Sequence, residues 1–206
     1  MSLPLPPRGG HGKLRVVSVP AGQAWYRIVH ARYASALHFS SGPAGRWNDA
    51  QADFGVLYVA DAPGTAFAET FGHGLSGQLE PAADKFVTVQ ELSERRLYRI
   101  TATRALQLAL FLGPGLAALN LDGHLLTTLD YRAPQAWSRW VHGAPAALDG
   151  IRYASRTLPG QENAALFERC GTALQEQALG TLADWRSEGG ELEMLEILDA
   201  QGWGLI

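Results

Sequence analysis

The chain has 206 residues, of which 47% are hydrophobic and 18% charged, so it is long enough to bury the core of one domain. Its formal net charge of −3 lacks the basic field that carries non-specific DNA binding, which disfavours a nucleic-acid partner. The single cysteine, Cys170, cannot form an internal disulfide, and no apolar stretch is long enough for a signal peptide or a membrane helix. We therefore expect a protein of the reducing cytoplasm.

The first part of the chain alternates between strand and helix patterns. Residues 1–13 are rich in proline and glycine and are expected to form a flexible arm outside a single domain over 14–206. Residues 14–19, 25–30 and 55–60 are rich in β-branched and aromatic residues and predict three strands. Residues 62–72 have a proline near the start, apolar residues at helical spacing and a terminal glycine, which predicts a short helix.

The middle of the chain is less regular. Residues 85–92 and 95–101 alternate and predict a hairpin or two neighbouring strands. Residues 104–115 fit either a helix or a strand that ends at Gly-Pro-Gly. The spacing of apolar residues predicts a helix over 133–141, and residues 150–156 return to a strand pattern.

The last part completes a mixed order of elements. Residues 162–171 fit a strand or a short helix, and the tail is expected to pack through Met194, Leu195, Ile197 and Leu198. The order indicates an α+β fold with a largely antiparallel sheet, because no regular βαβ alternation or internal repeat is present.

Several common kinds of functional site lack their sequence marker. The six histidines include no HExxH pair and no neighbour of Cys170, so we expect no metal site. The chain also contains no GxxxxGK[ST] phosphate loop, no GxGxxG after a strand and no GxSxG turn.

Charged and polar residues interrupt the predicted apolar elements. Arg27 lies inside a strand, Glu69 lies on the 62–72 helix and Ser155 ends a strand, while Arg46 and Trp47 follow a loop that contains two glycines and a proline. A charge buried without a partner costs several kcal/mol. Taken singly, Arg27 also fits a surface or ion-paired residue, Glu69 a solvated carboxylate and Ser155 a hydroxyl that bonds nearby backbone.

The residues taken together resemble a known family, the RES domain, which is named for its Arg, Glu and Ser. The resemblance spans roughly residues 24–170 and is most specific at "GRWN" followed by "LYVA" and "FAET", and at "GIRYASR" followed by "NAALF". The family includes the bacterial toxins of Xre–RES toxin–antitoxin pairs. The resemblance implies an ADP-ribosyltransferase-like fold, with a split β-sheet core, short flanking helices and a cleft for NAD as substrate.

By matching motif, the resemblance also implies the site residues. Arg27, Arg46, Glu69 and Ser155 correspond to the family's arginines, glutamate and serine, and Tyr58 corresponds to its tyrosine. The two arginines suit a clamp on the NAD pyrophosphate, since a guanidinium binds phosphate oxygens bidentately. Glu69 suits the stabilisation of positive charge on the ribose when nicotinamide leaves.

The remaining roles are assigned in the same way. Tyr58 can stack on a base, Ser155 can bond the ribose or a phosphate, and Trp47 is expected to pack beneath the loop that carries Arg46. The implied activity is cleavage of the nicotinamide glycosidic bond, with water or phosphate as acceptor. An Xre-type antitoxin is the implied partner, and the apolar tail and six tryptophans leave room for a homodimer surface.

Two alternatives to NAD breakdown stay open from the sequence. A protein ADP-ribosyltransferase would use the same Arg27, Arg46 and Glu69 but would need a docking surface for its target. An inactive RES-like binding module would only sequester a nucleotide or a partner.

Overall fold

The computed structural model describes residues 3–72, 83–185 and 194–206. The strands are β1 (Val16–Val19), β2 (Ala24–His30), β3 (Val56–Ala60), β4 (Lys85–Val87), β5 (Arg95–Ala102), β6 (Leu106–Phe111), β7 (Gly150–Ala154), β8 (Glu162–Phe167), β9 (Leu174–Thr181) and β10 (Trp203–Leu205). The α-helices are α1 (Pro63–Phe71), α2 (Val89–Ser93), α3 (Gly113–Ala118), α4 (His124–Thr127), α5 (Arg132–His142) and α6 (Met194–Ala200).

One large sheet organises the fold. Its strand order is β1-β6-β7-β8-β3-β2-β5-β9, and within it only β6 and β7 run parallel. The predicted α+β class with a largely antiparallel sheet is therefore confirmed. Strands β4 and β10 pair separately as a small parallel sheet.

The large sheet opens between β2 and β3. These two strands share a single residue pair, Tyr26 with Ala60, whereas β2 pairs along its whole length with β5 and β3 pairs along its whole length with β8. Helix α1 follows β3 directly and packs against both strands. The sheet is thus split at this point, as the resemblance implied, and a cleft lies at the split.

Apolar clusters cover both faces of the large sheet. Successive side chains of a strand point to opposite faces, so one strand can contribute to both clusters. In β6, Leu108 contributes to the apolar cluster on one face and Phe111 to the cluster on the other, where it meets Trp137 of α5 edge to face. Val141, one turn further along α5, is also fully buried. This packing fixes α5 against the sheet beside the cleft.

The predicted pairing of residues 85–92 with 95–101 is wrong. Strand β4 ends at Val87, and a capping box starts α2: Thr88 Oγ1 accepts a hydrogen bond from the Glu91 backbone N–H, and the Glu91 side chain accepts one from the Thr88 N–H. Strand β5 then pairs with β2 and β9 rather than with β4. The alternating pattern of residues 85–92 does contain a strand, but the Thr88 cap ends that strand at Val87.

The two ambiguous segments are resolved by the structure. Residues 104–115 contain strand β6, and the Gly-Pro-Gly sequence begins helix α3 after the strand has ended. Residues 162–171 contain strand β8, which is followed by a 3₁₀ helix over Glu168–Ala173.

The two ends of the chain pack on the domain. Met194, Ile197 and Leu198 are buried as predicted, but the prediction for Leu195 is wrong, since it faces outward from α6 with 56% of its surface exposed. In the N-terminal arm, Pro4 O accepts a hydrogen bond from Trp137 Nε1 at 2.9 Å.

The N-terminal arm also contacts α5 through a histidine ring. His11 stacks on Trp140 of α5. The predicted flexibility of the arm stays a prediction, and His73 lies outside the described residues. In the three described ranges, no helix has the length and apolar character needed to cross a membrane.

The capping box predicts a measurable contribution to stability. We expect Thr88→Ala to lower the free energy of unfolding by about 1 kcal/mol, because the Glu91 N–H in the first turn of α2 loses its acceptor. Urea denaturation checks the value. Ser93→Ala in the same helix is the control, since the Ser93 hydroxyl only bonds the Val89 carbonyl on the surface; an equal loss in both variants would contradict the capping argument.

Candidate active site

A cleft of about 340 Å³ lies where β2 and β3 separate. Its volume is within the range of small-molecule sites. The walls come from β2, β3, α1, the loop 41–48, the segment after α4 and the ends of β7 and β8. The polar and aromatic residues that line it are Tyr26, Arg27, Arg46, Tyr58, Glu69, Thr70, Tyr131, Tyr153, Arg156 and Asn163.

The loop 41–48 is fixed by side chains from two elements. From α5, Gln135 Nε2 donates hydrogen bonds to Pro43 O at 2.6 Å and to Gly45 O at 3.0 Å, and Ser138 Oγ donates to Trp47 O at 2.6 Å. From β3, the Tyr58 hydroxyl accepts a hydrogen bond from the Trp47 N–H at 2.8 Å. Four backbone polar groups of the loop therefore have partners although the loop has no regular structure.

Close packing at this loop requires a glycine. The Tyr58 hydroxyl also donates to Asn48 Oδ1 at 2.8 Å, directly beside Gly45. A Cβ atom at position 45 would lie 2.4 Å from Asn48 Oδ1 and 2.5 Å from the Tyr58 hydroxyl. Burial raises the pKa of Tyr58 above its ordinary value, so the hydroxyl stays neutral and can donate.

Trp47 provides the apolar attachment of the loop. Its side chain is fully buried, meets Phe111 of β6 edge to face with ring centroids 5.4 Å apart, and lies 5.4 Å from the ring of Tyr153 in β7. The expectation that Trp47 packs beneath the loop is confirmed. A neighbouring ion pair between Asp49 and Arg139 of α5, at 2.7 Å, continues the attachment.

Arg46 is buried at the cleft with an unused donor. It is 9% exposed; Nη1 donates to Leu125 O of α4 at 3.2 Å, and the guanidinium carbon lies 4.8 Å from the centre of the Tyr131 ring. Nη2 is buried and has no hydrogen-bond partner among the described residues. Burial lowers the pKa of Arg46, Tyr131 counteracts this, and the positive charge of Arg156 lowers the pKa further.

Arg27 faces the same cleft from β2. Its Nη1 donates a long hydrogen bond to His38 O at 3.4 Å. Burial lowers the pKa of Arg27 to about 10, although Glu176 partly offsets this effect, so the guanidinium stays charged at neutral pH. Together with Arg46 and Arg156, the cleft gathers three guanidinium groups. Like charges repel in a partly buried cleft, so an anionic ligand would be stabilised there.

Glu69 is held in the cleft by two donors. Ser155 Oγ donates to Glu69 Oε1 at 2.6 Å and Asn163 Nδ2 donates to the same oxygen at 2.8 Å. The Ser155 hydroxyl in turn accepts a hydrogen bond from the Leu158 N–H at 3.0 Å. Helix α1 thus places a carboxylate whose orientation is set by β8 and by the residue after β7.

The structure brings the predicted residues together. Arg27, Arg46, Tyr58 and Glu69 all line the cleft. Ser155, which is 5% exposed, is not one of the lining residues and reaches the cleft through its hydrogen bond to Glu69.

Sequence reasoning assigned no role to four other lining residues: Tyr131, Tyr153, Arg156 and Asn163. Tyr153 precedes Ser155 by two positions and so points to the same side of the chain, and Asn163 follows Glu162 at the start of a strand that is apolar from Ala164 onward. Both signals were present in the sequence. Among the described residues, no three His, Cys, Asp or Glu side chains form a group that could hold a metal ion.

The hydrogen bonds of Tyr58 predict the stability of the Arg46 loop. We expect Tyr58→Phe to lower the free energy of unfolding by about 1–3 kcal/mol, because the buried Trp47 N–H loses its acceptor. Urea denaturation at neutral pH measures the difference. Tyr33→Phe is the matched control: residue 33 is half exposed, its hydroxyl accepts a hydrogen bond from Arg32, and the expected change is below about 0.5 kcal/mol. Equal effects of the two substitutions would refute the loop attachment.

The chain is similar to known proteins over the segments that form the cleft. A family model described as the RES domain matches residues 24–186. A chain of the crystal structure of the M. tuberculosis MbcT–MbcA toxin–antitoxin complex has a similar fold, with a TM-score of 0.58, 14% sequence identity and 92% of each chain covered. No curated protein matches the sequence. Because the family model covers most of the chain and every residue of the cleft, this protein belongs to the RES domain family.

Proposed function

We propose that this chain is a toxin of the RES type that cleaves the bond between nicotinamide and ribose in NAD. The observation that carries the proposal is the meeting of Arg27, Arg46 and Glu69 at one cleft. The two guanidinium groups can bind the phosphates of an anionic dinucleotide, and the carboxylate of Glu69 can act on its ribose in the same cleft.

The arginines are suited to the pyrophosphate of NAD. Nη2 of Arg46 is a buried donor without a partner, and leaving such a group unpaired is costly. A phosphate oxygen would supply a charge-assisted hydrogen bond to Nη2 and would relieve the repulsion between Arg46 and Arg156. Arg27 lies on β2, on the other side of the split from β3, and would bind the pyrophosphate from that side.

Glu69 is suited to the bond that breaks. As nicotinamide departs with the electron pair of the glycosidic C–N bond, positive charge develops on the ribose, and a carboxylate held beside that ribose stabilises it. A water or phosphate oxygen then bonds the same carbon. With water the products are nicotinamide, ADP-ribose and one proton; with phosphate the ADP-ribose carries the phosphate.

Tyr58 and Ser155 support these groups in different ways. The Tyr58 ring lines the cleft and can meet a base, while its hydroxyl holds the loop of Arg46. The Ser155 hydroxyl acts on the reaction through Glu69 Oε1, so we assign it as a positioning residue.

An antitoxin is the proposed partner. The similar chain comes from a structure described as a toxin–antitoxin complex, which supports an antitoxin partner for this chain. We infer an Xre-type antitoxin and a cytoplasmic setting, where NAD is available. A homodimer and the lack of a nucleic-acid partner stay predictions.

Release of nicotinamide from NAD by the purified protein tests the function. We expect Glu69→Gln to lower the rate by about 100- to 1000-fold, because the amide keeps the shape of the side chain but not its charge. Chromatography of nicotinamide, in buffers with and without phosphate, measures the rate and identifies the acceptor. Glu196→Gln is the control, since Glu196 is exposed on α6, remote in sequence from every residue of the cleft.

The outcomes separate the proposal from its alternatives. Equal rates in the parent and in Glu69→Gln would contradict the role of Glu69. A parent protein that binds NAD but releases nicotinamide only in the presence of a target protein would be a protein ADP-ribosyltransferase. NAD binding without any release would leave an inactive binding module.

A further inference from the structure

Asn163 is a buried polar residue at the split of the sheet. It lies near the start of β8, where it pairs with Ala60 of β3 on one side and Tyr153 of β7 on the other. It is 4% exposed and it lines the cleft. A buried amide in this position has a cost in free energy unless both its NH₂ group and its carbonyl oxygen have hydrogen-bond partners.

The two ends of the Asn163 amide are distinguishable. The group that faces Glu69 Oε1 must be the donor Nδ2, because an ionised carboxylate only accepts hydrogen bonds. The carbonyl oxygen Oδ1 therefore points elsewhere. It is buried and has no partner among the described residues. Most buried acceptors in native structures have a hydrogen-bond donor, so an acceptor without one needs a specific explanation.

Resting on the function proposed above, we propose that Asn163 binds the ribose that carries nicotinamide. Its Oδ1 accepts a hydrogen bond from a hydroxyl of that ribose, while its Nδ2 positions Glu69. The missing partner must be a donor, which excludes the pyrophosphate oxygens of NAD. Glu69 acts at this ribose and Asn163 is one hydrogen bond away from Glu69, so the ribose hydroxyls are the nearest donors of the substrate.

Ser155 provides a matched comparison for this assignment. Ser155 and Asn163 both donate to Glu69 Oε1, at 2.6 Å and 2.8 Å, and both are more than nine-tenths buried. Only Asn163 lines the cleft and has an unpartnered atom. A role in positioning Glu69 is thus common to the two residues, whereas contact with the ribose belongs to Asn163 alone.

Calorimetric titration with ADP-ribose and with ADP tests the contact, because ADP lacks the second ribose. For the parent protein, Asn163→Leu and Ser155→Ala, the measured quantity is the ratio of the two dissociation constants. We expect Asn163→Leu to reduce the preference for ADP-ribose about five- to tenfold, the value of one lost hydrogen bond, and to leave ADP binding unchanged. Ser155→Ala should slow nicotinamide release but keep the parent's preference. If Asn163→Leu does not fold, Asn163→Ala replaces it, since it removes the amide without adding bulk.

Each other outcome overturns the assignment. An unchanged preference in Asn163→Leu would show that the ribose does not contact the amide. Equal loss of ADP and ADP-ribose binding would reduce Asn163 to a structural role. If the parent protein releases no nicotinamide from NAD, the proposed function itself fails, and the inference about Asn163 fails with it.

Discussion

Burial of Trp47 against β6 and β7 is the packing interaction on which the cleft depends. It fixes a loop without regular structure. Gln135 and Ser138 donate hydrogen bonds to carbonyl groups of that loop, and the Tyr58 hydroxyl accepts one from the Trp47 N–H. The preceding residue in the chain, Arg46, is thereby held in a buried position at the split of the sheet. A charged group is normally kept in water by its hydration, so the surrounding structure must offset a substantial cost to hold it there.

The electrostatics of the cleft follow from that placement. Arg27, Arg46 and Arg156 lie around one space with Glu69, whose carboxylate is oriented by Ser155 and Asn163. Within the described parts of the chain, Arg46 receives the aromatic ring of Tyr131 and the carbonyl oxygen of Leu125. This is less than a buried guanidinium can use, which is why a ligand with oxygen anions suits the site better than a neutral one.

The candidate site residues follow from the resemblance to the RES domain rather than from local patterns, since Arg27 in a strand and Glu69 on a short helix, taken singly, also fit ordinary surface residues. The structure places Arg27, Arg46 and Glu69 at one cleft. The strands whose β-branched pattern was clear are also present. The pairing of 85–92 with 95–101 failed because the Thr88–Glu91 capping signal was overlooked, and alternation alone does not identify a strand's partner. Tyr131 lies far along the chain from Arg46, and no local pattern reports that its ring meets the guanidinium. Such contacts depend on the tertiary fold.

The most direct measurement is a crystal structure of NAD bound to Glu69→Gln, which we expect to consume its substrate much more slowly than the parent protein. The account predicts a pyrophosphate oxygen within about 3 Å of Nη2 of Arg46, and the nicotinamide-bearing ribose beside residue 69. A dinucleotide whose phosphates lie away from Arg46, or which binds outside the split between β2 and β3, would contradict it.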